Sequence, residues 1–455
     1  MLPLLCAPCE KSLKICYSRL MREHSLLYSF RISADAASAL EKLPACIDEA
    51  NPVPERKRAS LRYSIRDLWR SLTMERALRN IDYLNNPAFF SAYLRYFLPW
   101  NLVRLIALLT ELPLELKNGA TIVDMGSGPL TFPLALYCAK PELRKVPLTI
   151  ICADRAPRIM EAGKLILELL AAKHGGELPP WNIELRHLRF GEPIREKADL
   201  FCAVNVLNEF FWHHEGMLAD DAAEVLRKIE HYCTAGRSML IVEPGEPRSG
   251  GLMSAIRAAA ILSGNVVEAP CPHANACPMP GIFKSGQEYL TGRASQFAHK
   301  EAKDEGQKER AIKDNRLLEP VQMPSPRTKY PWCHFSVPAE FAPRWLRKLS
   351  DESGLTKEKL SFSFLYIRKA EGNASRGRVE QARESLCRIV SDPILLPRDR
   401  AGKYACSAAG YTLVTAASGM ELPASGSLVR MHKGKIERPD TPEIDRKSGA
   451  IIVSY

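Results

Sequence analysis

The 455-residue chain lacks any run of about 18 consecutive apolar residues, the minimum for a membrane-spanning helix, so no membrane partner is expected. It is also short of acid. Lys and Arg number 63 against 52 Asp and Glu, a net charge of +11, which favours an anionic partner such as RNA. No secretory signal peptide is expected either: the Leu-rich start, Met1 to Cys16, has too short an apolar part and lacks a basic leader. Glu10 and Glu23 count against a transit peptide. Cysteine, by contrast, is abundant at 13, an odd number and high for an intracellular protein. Cys138, Cys152 and Cys202 fall inside expected helices or strands and read as buried thiols. Cys6-x-x-Cys9, near Cys16, has a metal-ligand spacing but no second pair beside it.

Residues Thr121-Ile122-Val123-Asp124-Met125-Gly126-Ser127-Gly128-Pro129 organise the chain. A short apolar strand ends at an acid, two glycines follow, and Leu130 to Ala139 reads as a helix. Strand, Gly-rich turn and helix make a cradle for a nucleotide-like ligand, because glycine lets the backbone come close. The third glycine of the dinucleotide fingerprint is missing: Thr131 stands there. That weighs against a nicotinamide-dependent oxidoreductase. An acid before only two glycines looks like the S-adenosylmethionine loop of class I methyltransferases.

Before this stretch the pattern is helical. Ala36 to Ile47 is amphipathic, Asn51-Pro-Val-Pro54 breaks it, and Arg56 to Arg79 mixes Arg and Lys with Leu, Ile and Trp69. That basic helix is a candidate for phosphate contacts or a solvated face. Tyr83 to Leu109 is aromatic-rich, with Pro87 and Pro99 as expected breaks. After Ala120 strands and helices alternate, as in a parallel sheet with crossover helices. The expected strands are Ala120 to Asp124, Leu148 to Asp154, Trp181 to Arg189, Asp199 to Val206 and Ser238 to Val242. Helices are expected at Pro157 to Lys173 and Met253 to Leu262. Asp154, at the tip of strand two, is placed for a ribose hydroxyl pair. Leu360 to Arg368 suits a strand that closes the sheet.

The expected fold class is α/β, a class I (Rossmann-like) methyltransferase sheet. A helical N-terminal domain covers residues 1–118 and the sheet domain 119–370. A polar insertion at about 281–327 is expected to be disordered. A small β-rich C-terminal domain spans 385–455.

Cys271 and Cys277 form a C-x₅-C pair, each followed by proline, and Cys333 sits between Trp332 and His334. Cys-Pro recurs among iron–sulfur ligands, whereas zinc sites favour C-x₂₋₄-C pairs. The alternatives are a four-thiolate cluster, a zinc site, or three unpaired loop thiols.

Ala269-Pro-Cys271-Pro-His273, Cys277-Pro and Trp332-Cys333-His334-Phe335-Ser336, behind Val242-Glu243-Pro244-Gly245, resemble the ribosomal small-subunit assembly methyltransferase-like family of mitochondria and bacteria. The resemblance covers roughly Tyr83 to Tyr411. It implies a class I methyltransferase fold joined to a four-cysteine iron–sulfur cluster of the 4Fe–4S type, with zinc as the alternative. The family's fourth cysteine lies on a strand after a basic stretch. Arg398-Asp-Arg400-Ala-Gly-Lys403-Tyr-Ala-Cys406 matches that setting, so the implied metal set is Cys271, Cys277, Cys333 and Cys406, with Cys387 the rival. The stretch between Cys277 and Cys333 is longer than the family's usual loop, and closing a longer loop costs little extra. His273 and His334 would support the ligands rather than bind metal.

The resemblance further implies an S-adenosylmethionine site. Asp124, Gly126 and Gly128 would hold the methionine end and Asp154 the ribose, with Asn205 and Asn208 on the acceptor side. No catalytic residue is identifiable. Base amino-methylating enzymes often carry Asp/Asn-Pro-Pro-Tyr after strand four, and here the sequence is Asn205-Val-Leu-Asn208-Glu209. The implied partners are the small ribosomal subunit and its rRNA, in ribosome biogenesis and translation, with no DNA partner expected. The implied compartment is the bacterial cytoplasm or, alternatively, the mitochondrial matrix. The competing expectation is a non-catalytic assembly factor that uses the methyltransferase fold to bind rRNA.

Overall fold

The computed structural model describes residues 30–73, 83–207, 218–279, 281, 331–371, 386–397, 400–416, 421–430 and 443–454. Outside them lie Cys6, Cys9, Cys16, the end of the basic helix at 74–79, Asn208, Glu209, Arg398 and the polar insertion apart from Gly281.

Helix α1, Ala34–Ala50, starts where the Ser33 side chain accepts the Ala36 N–H at 3.1 Å, an N-cap that satisfies an otherwise orphaned donor. Its buried residues, Ala36, Ala39, Leu40, Leu43 and Ile47, recur at helical spacing. A single basic turn, Glu55–Arg58, precedes α2, Leu61–Thr73, which buries only Ile65 and Leu68 among its described side chains. Two expected breaks are corrected. Pro87 opens α3, Pro87–Ala92, at a position where the missing N–H costs nothing; the Asn86 side chain caps it by accepting the Ala88 N–H at 2.9 Å. Pro99 sits in the first turn of α4, Leu98–Glu111, directly after a π-helical turn at Tyr93–Phe97. The wider turn rearranges the local hydrogen bonds, so the helical path runs through a residue that has no N–H to donate.

Strands β1 (Ala120–Met125), β2 (Leu148–Asp154), β3 (Trp181–His187), β4 (Ala198–Val204) and β5 (Cys233–Pro244) form the parallel part of the main sheet. β1, β2 and β4 are almost continuously apolar because helices cover both faces. Those helices include α5 (Thr131–Ala139), α6 (Pro157–His174), α7 (Leu218–Tyr232) and α8 (Pro247–Leu262). Cys152 and Cys202 sit opposite Asp124 on the flanking strands and are fully buried, as is Cys138 on α5. β4 ends two residues sooner than expected, because Asn205 turns the chain with φ +57°. β5 starts five residues sooner.

β6 (Val266–Ala269) is a strand where only a connection was expected. β7 (Phe335–Pro338) follows, α9 (Arg344–Glu352) comes next, and β8 (Lys359–Arg368) closes the sheet. The strand order is β3-β2-β1-β4-β5-β8-β6. β8 runs antiparallel between β5 and β6, while β7 pairs with its first residues. The order reverses between β1 and β4, and the polar strand tips lie at the C-terminal edge beside that switch point, where open α/β sheets bind ligands.

A second sheet contains β9 (Leu386–Ile389), β10 (Ile394–Leu396), β11 (Arg400–Ser407), β12 (Gly410–Ala416), β13 (Leu428–Arg430) and β14 (Ile451–Ser454). Its order is β13-β9-β11-β12-β14, with β10 on β11. One face buries Cys387, Ile389, Ala405 and Val414 in a small core of its own. Val390 and Cys406 instead join the large core that also holds α1, α4 and one face of the main sheet.

Candidate functional site

The glycine loop is held by the strand beside it. The Gly126 and Ser127 N–H groups donate to Ala153 O at 2.7 and 3.1 Å, and Gly128 N–H donates to Asp154 Oδ2 at 2.9 Å. The other Asp154 oxygen accepts the Ala156 N–H at 2.9 Å. Gly126 and Gly128 have φ of +70° and +51°, a conformation a side chain would strain. Gly126 is further constrained, since a Cβ there would stand 2.2 Å from Val206 Cγ2.

Asp124 is 1% exposed, and Ser127 Oγ donates to its Oδ2 at 2.5 Å. Burial pushes this carboxyl up to about 7; the Ser127 bond opposes the shift and the Asp154 charge adds to it. Two strands away, at the end of β5, the fully buried Glu243 accepts the Val206 and Leu207 N–H groups at 3.1 and 2.8 Å. This grip fixes the turn after β4. Asn205 Oδ1 is buried there without a hydrogen-bond partner. The structure thus gathers Asp124, Gly126, Gly128, Asp154 and Asn205 at one sheet edge. It adds Glu243, whose signal was an acid at a strand tip like Asp124 and Asp154.

Cys271, Cys277, Cys333 and Cys406 line one pocket together with Arg257 and Arg388. They arrive from three places: the loop after β6, the turn before β7, and β11 of the second sheet. Arg257 Nε donates to Cys271 Sγ at 3.0 Å, and its Nη2 donates to His273 O at 2.7 Å. His273 Nε2 lies 3.1 Å from Cys406 Sγ. Arg388 Nε donates to Pro270 O at 2.9 Å and its Nη1 to Gly426 O at 2.7 Å. Both arginines are 2% exposed. Burial pushes the Cys271, Cys333 and Cys406 thiols up, and the neighbouring thiols add to this, while Arg257 pulls the other way.

Burial, and then the Arg257 charge, lowers His273 to about 3, so its ring is neutral and its Nδ1 is buried without a partner. His334 stacks on Trp332 with ring centres 4.9 Å apart, and its Nδ1 lies 3.1 Å from Trp332 O. Cys387 does not line the pocket. It neighbours Arg388 on β9, so its side chain points to the opposite face, into the small core. Among the described residues no three His, Cys, Asp or Glu side chains lie close enough together to hold a single metal ion.

The sequence reading missed Arg257 and Arg388. Arg257 carried a faint signal, the one cation in the apolar run from Met253 to Leu262 of α8. Arg388 carried none, since a strand arginine does not announce partners as scattered as Pro270, Cys406 and Gly426.

Strand order and glycine loop together define a class I methyltransferase fold. Residues 91–286 match the family model described as mitochondrial small ribosomal subunit Rsm22, which bears out the family resemblance over that stretch. No curated protein matches the chain. Among solved structures, YjhP from Escherichia coli is similar at 13% identity and a TM-score of 0.27, covering 58% of this chain and 91% of its own. A methyltransferase from Thiobacillus denitrificans, in complex with S-adenosyl-L-homocysteine, is similar at 14% identity and a TM-score of 0.26, covering 60% and 91%. Aeropyrum pernix fibrillarin with natively bound S-adenosyl-L-methionine is similar at 20% identity and a TM-score of 0.24, covering 37% and 69%. Likeness at this level says nothing about ligand or reaction. No helix among the described residues is long and apolar enough to cross a membrane.

Proposed function

We propose that this protein is an S-adenosylmethionine-dependent methyltransferase-like factor of small ribosomal subunit assembly that carries an iron–sulfur cluster. The observation that carries the reading is the extent of the family match. It spans β1 to β6, and so includes the glycine loop, Asp154, Asn205, Glu243, Cys271 and Cys277.

The cradle fits S-adenosylmethionine by its chemistry. Among the described residues no cation acts on the buried Asp124 carboxyl, and the Asn205 Oδ1 acceptor is orphaned. The ligand's amino acid end carries an ammonium group that would answer both. Gly126 and Gly128 would admit it closely, and Asp154, half-buried at the next strand tip, would take the ribose hydroxyls. Methyl transfer needs chiefly an in-line approach of acceptor and sulfonium, so the task left to this chain is positioning. Glu243, by fixing the Val206 and Leu207 amides, would set the wall on the acceptor side.

The four-cysteine pocket fits a cluster by its donor set. Thiolates bound to iron bring negative charge into a buried site, and Arg257 and Arg388 are buried cations placed to balance it. Four thiols are the donor set of a four-iron core, and a single zinc ion, with bonds of roughly 2.3 Å, is the alternative. Cys271, Cys277, Cys333 and Cys406 would be the ligands, and His273, a potential donor to Cys406, a support. A bound cluster would add redox sensitivity or a covalent staple between the two sheets.

The partner would be the small subunit rRNA, in agreement with the charge of +11. The family description favours the mitochondrial matrix over a bacterial cytoplasm. One observation favours the non-catalytic alternative: the turn after β4 is Asn205-Val206-Leu207, with Val206 packed on Gly126, where amino-methylating enzymes carry Asp/Asn-Pro-Pro-Tyr. Labelled methyl transfer onto immature small subunits, with Asp124→Ala as control, separates the two. Label retained in rRNA by the wild type alone supports catalysis, and no label with intact subunit binding favours the assembly-factor reading.

A further inference from the structure

Away from both sites, two partly buried cations lie close together, with no counter-charge among the described residues. Arg104 lies on α4, and Lys357 lies in the loop between α9 and β8. The Arg104 Nε is buried and bonds nothing. Lys357 Nζ stands 5.8 Å from the centre of the Tyr96 ring and 5.9 Å from that of Trp100. Those rings are held in place: Tyr96 Oη donates to Leu355 O at 3.2 Å, and Trp100 Nε1 donates to Ser350 Oγ at 3.0 Å.

Among the described residues no carboxylate acts on either cation. Burial lowers Arg104 to about 10. Burial, with the Arg104 charge second, lowers Lys357 to about 8. Uncompensated buried charge is costly, so a fold that retains two such groups together is suited to an anion that neutralises both. β8 begins beside the end of β5, so Lys357 lies toward the same sheet edge as the glycine loop.

We propose that Arg104 and Lys357 form an oxyanion site for a phosphate group, with Tyr96 and Trp100 as its aromatic wall, and that the phosphate is a phosphodiester of an RNA backbone. An arginine fork and an ammonium complement the phosphate oxygens, while the buried Tyr96 and Trp100 rings back the ammonium from the inside. The same helical segment carries further cations. On α2 the Arg62 and Arg66 guanidiniums lie 4.8 and 5.4 Å from the ring centre of the exposed Tyr63. The choice of RNA as the phosphate source rests on the ribosomal reading above; the oxyanion site itself does not.

The test uses the full chain with Arg104→Met, Lys357→Met and both together, which remove charge and keep the apolar stems. Inorganic phosphate, added at constant ionic strength, is expected to raise the wild-type Tm by roughly 2 °C or more and to leave the double variant unmoved. Without phosphate, the variants are expected to be at least as stable as the wild type, because repulsion is gone; a merely structural pair would show the reverse. Affinity for a single-stranded rRNA fragment is then followed against salt. The logarithmic slope is expected to be shallower by about 0.7 to 1.4 in the double variant. A phosphate effect lost in the variant with an unchanged RNA slope supports the site and assigns it to free phosphate or a small phosphate ester. A wild-type Tm indifferent to phosphate, or an equal rise in the double variant, overturns the proposal. Should the double variant not fold, the partly exposed Lys357→Met alone decides. Co-sedimentation of the wild type with small subunits is scored separately, so failure of the ribosomal reading stays distinct.

Discussion

Asp124 shows what a single residue can disclose. Its carboxyl is raised from 3.8 to about 7, so the folded state favours the protonated form. The stability this contributes is present below about pH 4 and is lost as pH rises through about 7. Asp124→Asn keeps an acceptor for Ser127 and cannot ionise. The variant is therefore expected to match the wild type in Tm near pH 4 and to exceed it above pH 7, by up to about 4 kcal/mol in stability. Parallel curves of Tm against pH would contradict this account of the site. Asp154 offers a second test. Asp154→Ala removes a charge-assisted contact to ligand and the bond to Gly128 N–H, so S-adenosylmethionine binding by calorimetry is expected to weaken by about 1.5–3 kcal/mol. Unchanged affinity would place the ligand elsewhere. Both acids were legible in the sequence, because each ends an apolar run and the register of β1 and β2 brings their tips together. The orphaned Asn205 Oδ1 was not, since it depends on a left-handed residue that no pattern announces.

At the scale of elements, β9 and β11 decide between two cysteines. Cys406 pairs in register with Arg388, and Ser407 with Cys387, so adjacent positions on each strand face opposite ways. Cys406 and Arg388 reach the pocket while Cys387 stays in the small core. Cys406→Ser is expected to lose cluster iron and to expose residues 386–454 to protease, because a small sheet gains from a metal staple. Cys387→Ser is expected to keep its iron. A Cys406→Ser protein with full iron content and unchanged protease resistance would reverse the assignment. The Cys-Pro and Trp-Cys-His motifs made three of the proposed ligands readable, and the family resemblance supplied the fourth. What stayed hidden were the guanidiniums in the same pocket, because a single Arg in a helix or strand does not reveal which loop or strand folds over it. The helix through Pro99 was hidden likewise: proline reads as a break unless a π-helical turn makes room for it.

For the whole molecule, the charge of +11 and the basic helical segment would make the proposed rRNA binding largely electrostatic. Association with small-subunit rRNA is expected to fall steeply with salt. Arg62→Ala with Arg66→Ala should make that dependence shallower by about 1.4 in logarithmic slope, at about 0.7 per phosphate contact. A flat salt dependence, or no co-sedimentation with small subunits, would remove the ribosomal reading. The claim that joins the sites is that one chain carries an S-adenosylmethionine cradle and a cluster that pins its second sheet to the first. Anaerobic purification of the full chain, with iron and acid-labile sulfide measured beside the absorption spectrum, tests it most directly. The expected result is about four iron and four sulfide per chain with a broad visible band, both lost in Cys406→Ser. Wild-type protein that holds neither iron nor sulfide, or that holds one zinc per chain under iron-replete conditions, would contradict it.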